Sequence, residues 1–264
     1  MAVGGMTRPR RRRGRRALIV LLVLLLLLLV ALVVADRVGR SVADDKLAEQ
    51  VSQHAQQQGI QLGQQPTADI TGFPFLTQVA AGRYDEILFH LRDVQAQGYS
   101  LPKLDVAAHG VHAKASDVIN HRGTISADRV DGTATLGYGY LEKVIKEEID
   151  KKVEVRDLTL TGSDGKLMVH ATVPILGQQL KLVGETKLTL QGDGRRVRVD
   201  VRNLRPDGIE LPAFAKSALN EVAQQLSTTI TLPELPYHLQ LTGLEPASEG
   251  LLITARASHV SLSQ

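Results

Sequence analysis

The chain has 264 residues and a formal net charge of +3, and it contains no cysteine, which excludes disulfides, thiol catalysis and cysteine-ligated zinc. Seven of the 31 basic residues are arginines between Arg8 and Arg16, whereas all 28 acidic residues come later, so the remaining 24 basic residues leave the rest of the chain at −4. This mildly acidic remainder gives no electrostatic basis for binding nucleic acid.

An unbroken apolar run at residues 17–35 follows the basic tail, residues 1–16. A helix of this length extends about 28 Å, close to the ~30 Å hydrocarbon core of a bilayer. Because arginine-rich flanks stay in the cytoplasm, we expect residues 36–264 to be extracytoplasmic. The length of the run favours an uncleaved, single-pass signal anchor in the cell membrane, and secretion after signal cleavage is the alternative.

The segment after the run has a helical period up to Gly59, with apolar residues at intervals of three, four or six. We expect residues 36–59 to form a helical stalk that lifts the following domain, residues 60–264, off the membrane. The same stretch can also pack on that domain.

The hydrophobic period then changes to two, as in half-buried strands of an antiparallel sheet. Strands of this kind are predicted at residues 86–93, 166–173, 180–190 and 196–202, with turns at Asp164 and Asp193. Amphipathic helices are predicted at residues 140–152 and 213–227. The fold class is therefore α+β: an N-terminal transmembrane or signal helix followed by a long, twisted antiparallel sheet wrapped around or covered by one or two helices.

A catalytic or metal site is not indicated. His109, His112 and His121 are the closest histidines, but residues three apart on a strand point to opposite faces. Ser163 lacks the G-x-S-x-G spacing of a nucleophile elbow, and adjacent acidic pairs on predicted helices have diverging side chains. We expect no enzyme activity, no catalytic residues, no cofactor and no metal.

Two segments are more specific: residues 70–87, ITGFPFLTQVAAGRYDEI, and residues 232–262, LPELPYHLQLTGLEPASEGLLITARASHVSL. With the membrane segment, they resemble the LmeA-like phospholipid-binding family of Gram-positive envelopes, over essentially all of the chain from about Arg37. The resemblance implies a tubular lipid-binding-like fold, in which a curved sheet and a long helix enclose an apolar channel. It also implies binding of phospholipids such as phosphoinositides in support of lipid-anchored glycan assembly. It carries over no catalytic residues and names no protein partner.

A lipid role is physically reasonable because exposing about sixteen methylenes to water costs on the order of 13 kcal/mol, which a protein must offset with apolar surface. We expect a membrane-anchored, non-catalytic phospholipid binder or lipid carrier. A structural interaction module and a glycolipid-elongation enzyme are the alternatives. The candidate lipid-binding residues are Phe73, Phe75, Arg83, Tyr84, Ile87, Phe89 and Leu91.

Each of these residues also has a structural interpretation. The two phenylalanines of the GFPF run either plug the end of the core or line a lipid entrance. Arg83 and Tyr84 either bind a headgroup, since a guanidinium pairs well with phosphate, or Arg83 forms a surface ion pair with Asp85 or Glu86. Phe89 contributes either to the core or to acyl-chain contact.

Overall fold

The structure is a computed structural model that describes residues 12–96, 99–114, 124–151, 154–163, 165–175, 178–192, 194, 196–208, 215–231 and 239–263. The predicted turn residues Asp164 and Asp193, the histidine His121 and the segment 232–238 lie outside the described residues.

Four helices and twelve strands lie within the described residues. The helices are α1 (Arg12–Gln57), α2 (Phe75–Ala81), α3 (Tyr138–Ile149) and α4 (Ala215–Leu226). The strands are β1 (Gln61–Leu62), β2 (Thr67–Ile70), β3 (Arg83–Ala96), β4 (Tyr99–His112), β5 (Thr124–Leu136), β6 (Arg156–Ser163), β7 (Lys166–Ile175), β8 (Gln178–Gln191), β9 (Arg196–Pro206), β10 (Thr228–Thr231), β11 (Gln240–Pro246) and β12 (Leu251–Ser263).

Helix α1 is a single helix of 46 residues that contains both the apolar run and the predicted helix after it. Its large apolar side chains from Val20 to Val34 are exposed, as expected for a surface that faces lipid. Among the described residues, one helix is long and apolar enough to cross a membrane, and it is this one. The second half of α1 buries Ala48 and Ala55 and packs on β2 and α2.

The strands form two antiparallel sheets. The seven-stranded sheet has the order β1-β3-β4-β5-β12-β11, with β2 also paired to β3, and the five-stranded sheet has the order β10-β9-β8-β7-β6. The α+β class and the antiparallel strands are confirmed, but the strands are divided between two sheets instead of one. Strands β3 and β4, with 14 residues each, are about 46 Å long.

The apolar face of the five-stranded sheet is filled by the protein's own side chains. Helices α3 and α4 pack on it, and Ile149, Leu167, Leu182 and Leu226 are at most 1% exposed. The carboxylate of Glu142 on α3 accepts a hydrogen bond from the backbone N–H of Leu160 at 2.7 Å, which fixes the helix to β6. This half of the fold therefore has a closed core.

A hydrogen bond helps to join the two sheets. The hydroxyl of Tyr138, at the start of α3, donates to the carbonyl oxygen of Ala247, just after β11, at 2.6 Å. Gly162 on β6 lies beside both groups, and a Cβ atom there would overlap them. Burial raises the pKa of Tyr138, so its hydroxyl remains protonated and continues to donate at neutral pH.

Candidate functional site

One face of the seven-stranded sheet carries apolar side chains in rows that cross the strands. The register gives three rows, and we call their surface the apolar face. The first row is Ile87, Ala108, Val130 and Ala257; the second is Phe89, Val106, Gly132, Ala255 and Leu241; the third is Leu91, Leu104, Ala134, Ile253 and Leu244. Cross-strand partners share a face, so these rows form one continuous surface, about 19 Å wide over five strands.

The apolar face is covered on one side. Leu47 of α1 and Val79 of α2 pack in a cluster with Ile87 of β3, Val111 of β4 and Ala127 of β5. Toward β12 and β11 most of the row residues are only half-buried, including Ile253, Ala255 and Leu244. The face thus differs from the closed core of the five-stranded sheet.

The opposite face of the same sheet is polar. Asp105 is bonded to His90 at 2.8 Å, Arg92 at 2.9 Å and Lys103 at 3.1 Å. Burial raises the pKa of Asp105, but these hydrogen bonds outweigh it and lower the pKa to about 2. This arrangement makes one side of the sheet suited to water and the other suited to hydrocarbon.

A second charged cluster on the polar face centres on Asp131. Its carboxylate lies 2.6 Å from Arg256, 2.8 Å from Arg129 and 3.2 Å from His109. Burial raises the pKa of Asp131, whereas the two arginines lower it, and the net shift is downward. His109 also lies 3.3 Å from Glu86, so its ring is placed between two carboxylates.

Neither these clusters nor other described residues form a metal site: within the described residues no group of three His, Asp or Glu side chains is placed to hold a metal ion. His112 lies 3.5 Å from Asp128.

The GFPF run forms a tight loop whose conformation is set by polar contacts. Gly72 has a φ of 90°, and a Cβ atom there would collide with Asp85 and Gln78. The buried amide of Gln78 donates to the carbonyl of Thr71 at 3.0 Å and accepts from the N–H of Asp85 at 2.9 Å. The two phenylalanines that follow Gly72 are held in different environments.

Phe75 is 5% exposed and lies in the core cluster with Ile70 and Ile87, whereas Phe73 is 58% exposed. The ring of Phe73 lies 5.6 Å from the guanidinium of Arg37 on α1, in a cation–π contact. Thus one phenylalanine plugs the core, as its structural interpretation held, and the other remains at the surface.

The remaining candidate residues fall into three environments. Tyr84 is buried in the same cluster, which raises the pKa of its phenol. Arg83 is exposed and forms a surface ion pair with Asp128 at 3.9 Å, not with Asp85 or Glu86 as its structural interpretation held. Ile87, Phe89 and Leu91 all belong to the apolar face.

The family model for LmeA-like phospholipid-binding proteins matches residues 34–256, from the end of the apolar run to strand β12. The chain belongs to this family. No curated protein and no solved structure matches the chain. The match includes the second half of α1 and both sheets, so the LmeA-like unit comprises the helix that packs on the apolar face as well as the face itself.

Sequence reasoning missed most of the apolar face of this LmeA-like protein. Strand β4 carries a readable alternation, with Leu104, Val106 and Ala108 separated by polar or small residues. On β5 and β12 the face is built partly from small residues such as Ala134 and Ala255, which weaken a hydrophobic pattern. These small side chains project less far from the sheet than Leu or Ile would.

Two clefts on the described part of the chain have volumes of about 470 Å³ and about 580 Å³. Both are lined by residues of α1 and of the segment 59–68, with Asp44 and Glu49 in the first and Ser52 and Gln56 in the second. Neither cleft is on the apolar face.

Proposed function

We propose that this LmeA-like protein is a membrane-anchored, extracytoplasmic phospholipid-binding protein that holds the acyl chains of its ligand on the apolar face. Residues 1–16 form the cytoplasmic tail, residues 17–35 span the membrane, and residues 36–264 are exported. Its role is that of a non-catalytic lipid binder or carrier that supports assembly of envelope glycolipids. The half-buried state of Ile253, Ala255 and Leu244, in a member of a phospholipid-binding family, is the observation that carries the proposal.

The energetic argument starts from the exposed hydrocarbon. Each apolar Å² removed from water contributes about 25 cal/mol, so the area that Leu104, Ile253 and Leu244 still expose favours an apolar ligand that can lie on it. Branched aliphatic side chains impose no stacking geometry, which suits a flexible acyl chain. The five-stranded sheet offers no such surface, because α3 and α4 already occupy its face.

Anchoring raises the effective concentration of the binding face next to its lipid source. A tether holds the domain beside the membrane, so each binding event is in effect intramolecular. The arginine-rich tail supports the proposed orientation, since basic flanks favour the cytoplasmic side.

The test uses two adjacent residues of β12 whose side chains point to opposite faces of the sheet. Ile253 lies in the third row of the apolar face, whereas Thr254 faces the polar side opposite Thr133. We would reconstitute the full chain in vesicles that contain a phospholipid with a photoreactive acyl chain, and map the cross-linked peptides by mass spectrometry. Ile253→Asp introduces a carboxylate that must lose its hydration beside the acyl chain, and Thr254→Asp is the matched control.

For the wild-type protein we expect cross-links on β4, β5 and β12 in addition to those on the spanning part of α1. Ile253→Asp should reduce the sheet cross-links at least about tenfold, since a desolvated charge costs several kcal/mol, whereas Thr254→Asp should leave them unchanged. Cross-links confined to α1 in the wild type would refute lipid binding by the sheet and favour a structural interaction module. Turnover of a glycolipid substrate that a single carboxylate change abolishes would favour an enzyme.

A further inference from the structure

Exposed apolar side chains are concentrated at one end of the exported part. Outside the apolar run, the large apolar residues that are exposed in the described part of the chain are Val38, Val42, Phe73 and Leu76. Phe73 is 58% exposed and Leu76 is 41% exposed. Scattered exposed apolar residues are ordinary, but a group confined to one end of a domain marks an interaction surface.

The position of this group relative to the membrane follows from its contacts with α1. The backbone N–H of Leu76 donates to the carboxylate of Asp36 at 2.8 Å, and Phe73 stacks on Arg37. Asp36 and Arg37 are the first two residues after the apolar run, so they rise only about 2–3 Å above its end. Phe73 and Leu76 must therefore lie at the level of the lipid headgroups.

Two further exposed apolar residues lie on α1 just beyond the apolar run. Val38 and Val42 continue the exposed stripe that includes Val34 at intervals of four residues, until Asp45 and Lys46 add charge. At 1.5 Å per residue, Val42 lies about 10 Å beyond the end of the run. The interfacial layer of a bilayer is roughly 5–8 Å thick on each side, so Val38 lies within it, whereas Val42 lies beyond it.

The connection between α1 and the domain is held at two points. Asp36 is 3% exposed and accepts a hydrogen bond from the N–H of Leu76, and about two turns later Asp44 accepts one from the N–H of Ile70 at 2.7 Å. Arg40 lies between them and pairs with Asp44 at 3.6 Å. Because two backbone groups are bonded along the same side of α1, the domain cannot rotate freely around the helix that spans the membrane.

We propose that Phe73 and Leu76, together with Val38, insert into the outer leaflet of the same membrane that α1 spans and dock the domain on it in a fixed orientation. This inference rests on the membrane anchoring in the proposed function. It deepens that function, because Phe75 of the same loop packs in the cluster that borders the apolar face. A phospholipid thus passes from leaflet to sheet at this edge without crossing bulk water.

The chain contains no tryptophan, so a single introduced indole reports on its own environment. We would reconstitute full-length F73W in phosphatidylcholine–phosphatidylglycerol vesicles that carry nitroxide-labelled lipids, with the label either near the headgroup or deep in the acyl chain. The matched control is E249W, because Glu249 is exposed and precedes β12. The row of cross-strand partners that contains Arg83 lies at the membrane end of the sheet. Counted along the strands, the row that contains Leu251 is ten residues, or about 33 Å, farther away, so Glu249 lies far from the membrane.

We expect F73W to emit at a blue-shifted wavelength and to be quenched more by the shallow label than by the deep one, whereas E249W stays red-shifted and unquenched. Red-shifted, unquenched emission from F73W in vesicles where protease protection confirms insertion of α1 would overturn the docking. Equal quenching of both variants would also overturn it, since the domain would then lie flat on the bilayer. Acyl-chain cross-links to β12 in the same vesicles report lipid binding separately, so failure of docking and failure of the proposed function give different results.

Discussion

The same truncation should destabilise the protein more in the five-stranded sheet than in the seven-stranded sheet. Leu182 on β8 is 1% exposed in the closed core, so Leu182→Ala leaves a cavity and should lower the free energy of unfolding by about 2–5 kcal/mol. Leu104 on β4 is half-buried on the apolar face. Leu104→Ala removes three carbons, whose full burial contributes about 2.4 kcal/mol. Because Leu104 is only partly buried and its truncation leaves no closed cavity, we expect the free energy of unfolding to fall by about 1 kcal/mol.

A bound phospholipid should change the difference in stability between these two variants. The assay is urea unfolding of residues 36–264, followed by circular dichroism, with and without a short-chain phospholipid kept below its micelle concentration. Ligand at one hundred times its dissociation constant should stabilise the wild type by about 2.7 kcal/mol. Leu104→Ala should lose part of that gain, because the lipid covers this side chain, whereas Leu182→Ala should keep all of it. Equal costs for the two variants without lipid, and no lipid effect on either, would mean that the apolar face is an ordinary core.

Two further predictions concern the charged face and the joint between the sheets. The pKa of Asp105 falls from 3.8 to about 2 in the folded protein. The ionised carboxylate therefore adds about 1–2 kcal/mol to the free energy of unfolding above about pH 4, and this stabilisation is lost as the pH falls toward 2. In Asp105→Asn the free energy of unfolding should therefore depend less on pH between about 2 and about 4, as measured by denaturant unfolding at fixed pH values. The same pH dependence as in the wild type would contradict the contacts of Asp105 with His90, Arg92 and Lys103. Tyr138→Phe should lower the free energy of unfolding by about 1 kcal/mol, because the hydrogen bond to Ala247 is lost. Gly162→Ala should lower it further, because the added Cβ atom collides with both groups. Thermal unfolding measures both variants, and an unchanged stability of Gly162→Ala would contradict this packing.

Periodicity predicted the parts of the fold in which polar and apolar residues alternate cleanly. The strands at residues 166–173 and 196–202 lie within β7 and β9, and the two amphipathic helices are found as α3 and α4, although residues 152, 213 and 214 of the predicted helices lie outside the described residues. The division into two sheets could not be read from the pattern, because alternation fixes which side of a strand is buried but not its partner. Pairing of β5 with β12, more than a hundred residues later, is set by tertiary packing.

The candidate site was predicted in part for a similar reason. Ile87, Phe89 and Leu91 form one edge of the apolar face, and their alternation was readable. The rest of the face comes from distant strands with small side chains. The role of Asp36 was hidden because its partner is a backbone N–H forty residues later, which leaves no mark in the side-chain pattern.

The two sheets differ in how completely helices cover their apolar faces. The five-stranded sheet receives two amphipathic helices, α3 and α4, and their combined apolar stripes are enough to close its face. The seven-stranded sheet is wider, yet it is covered by only the second half of α1 and the seven residues of α2 among the described elements. A wide apolar face with so little cover is unfavourable in water unless something else occupies it. In the proposed function the domain is tethered beside a bilayer, which supplies such an occupant in the acyl chains of its phospholipids.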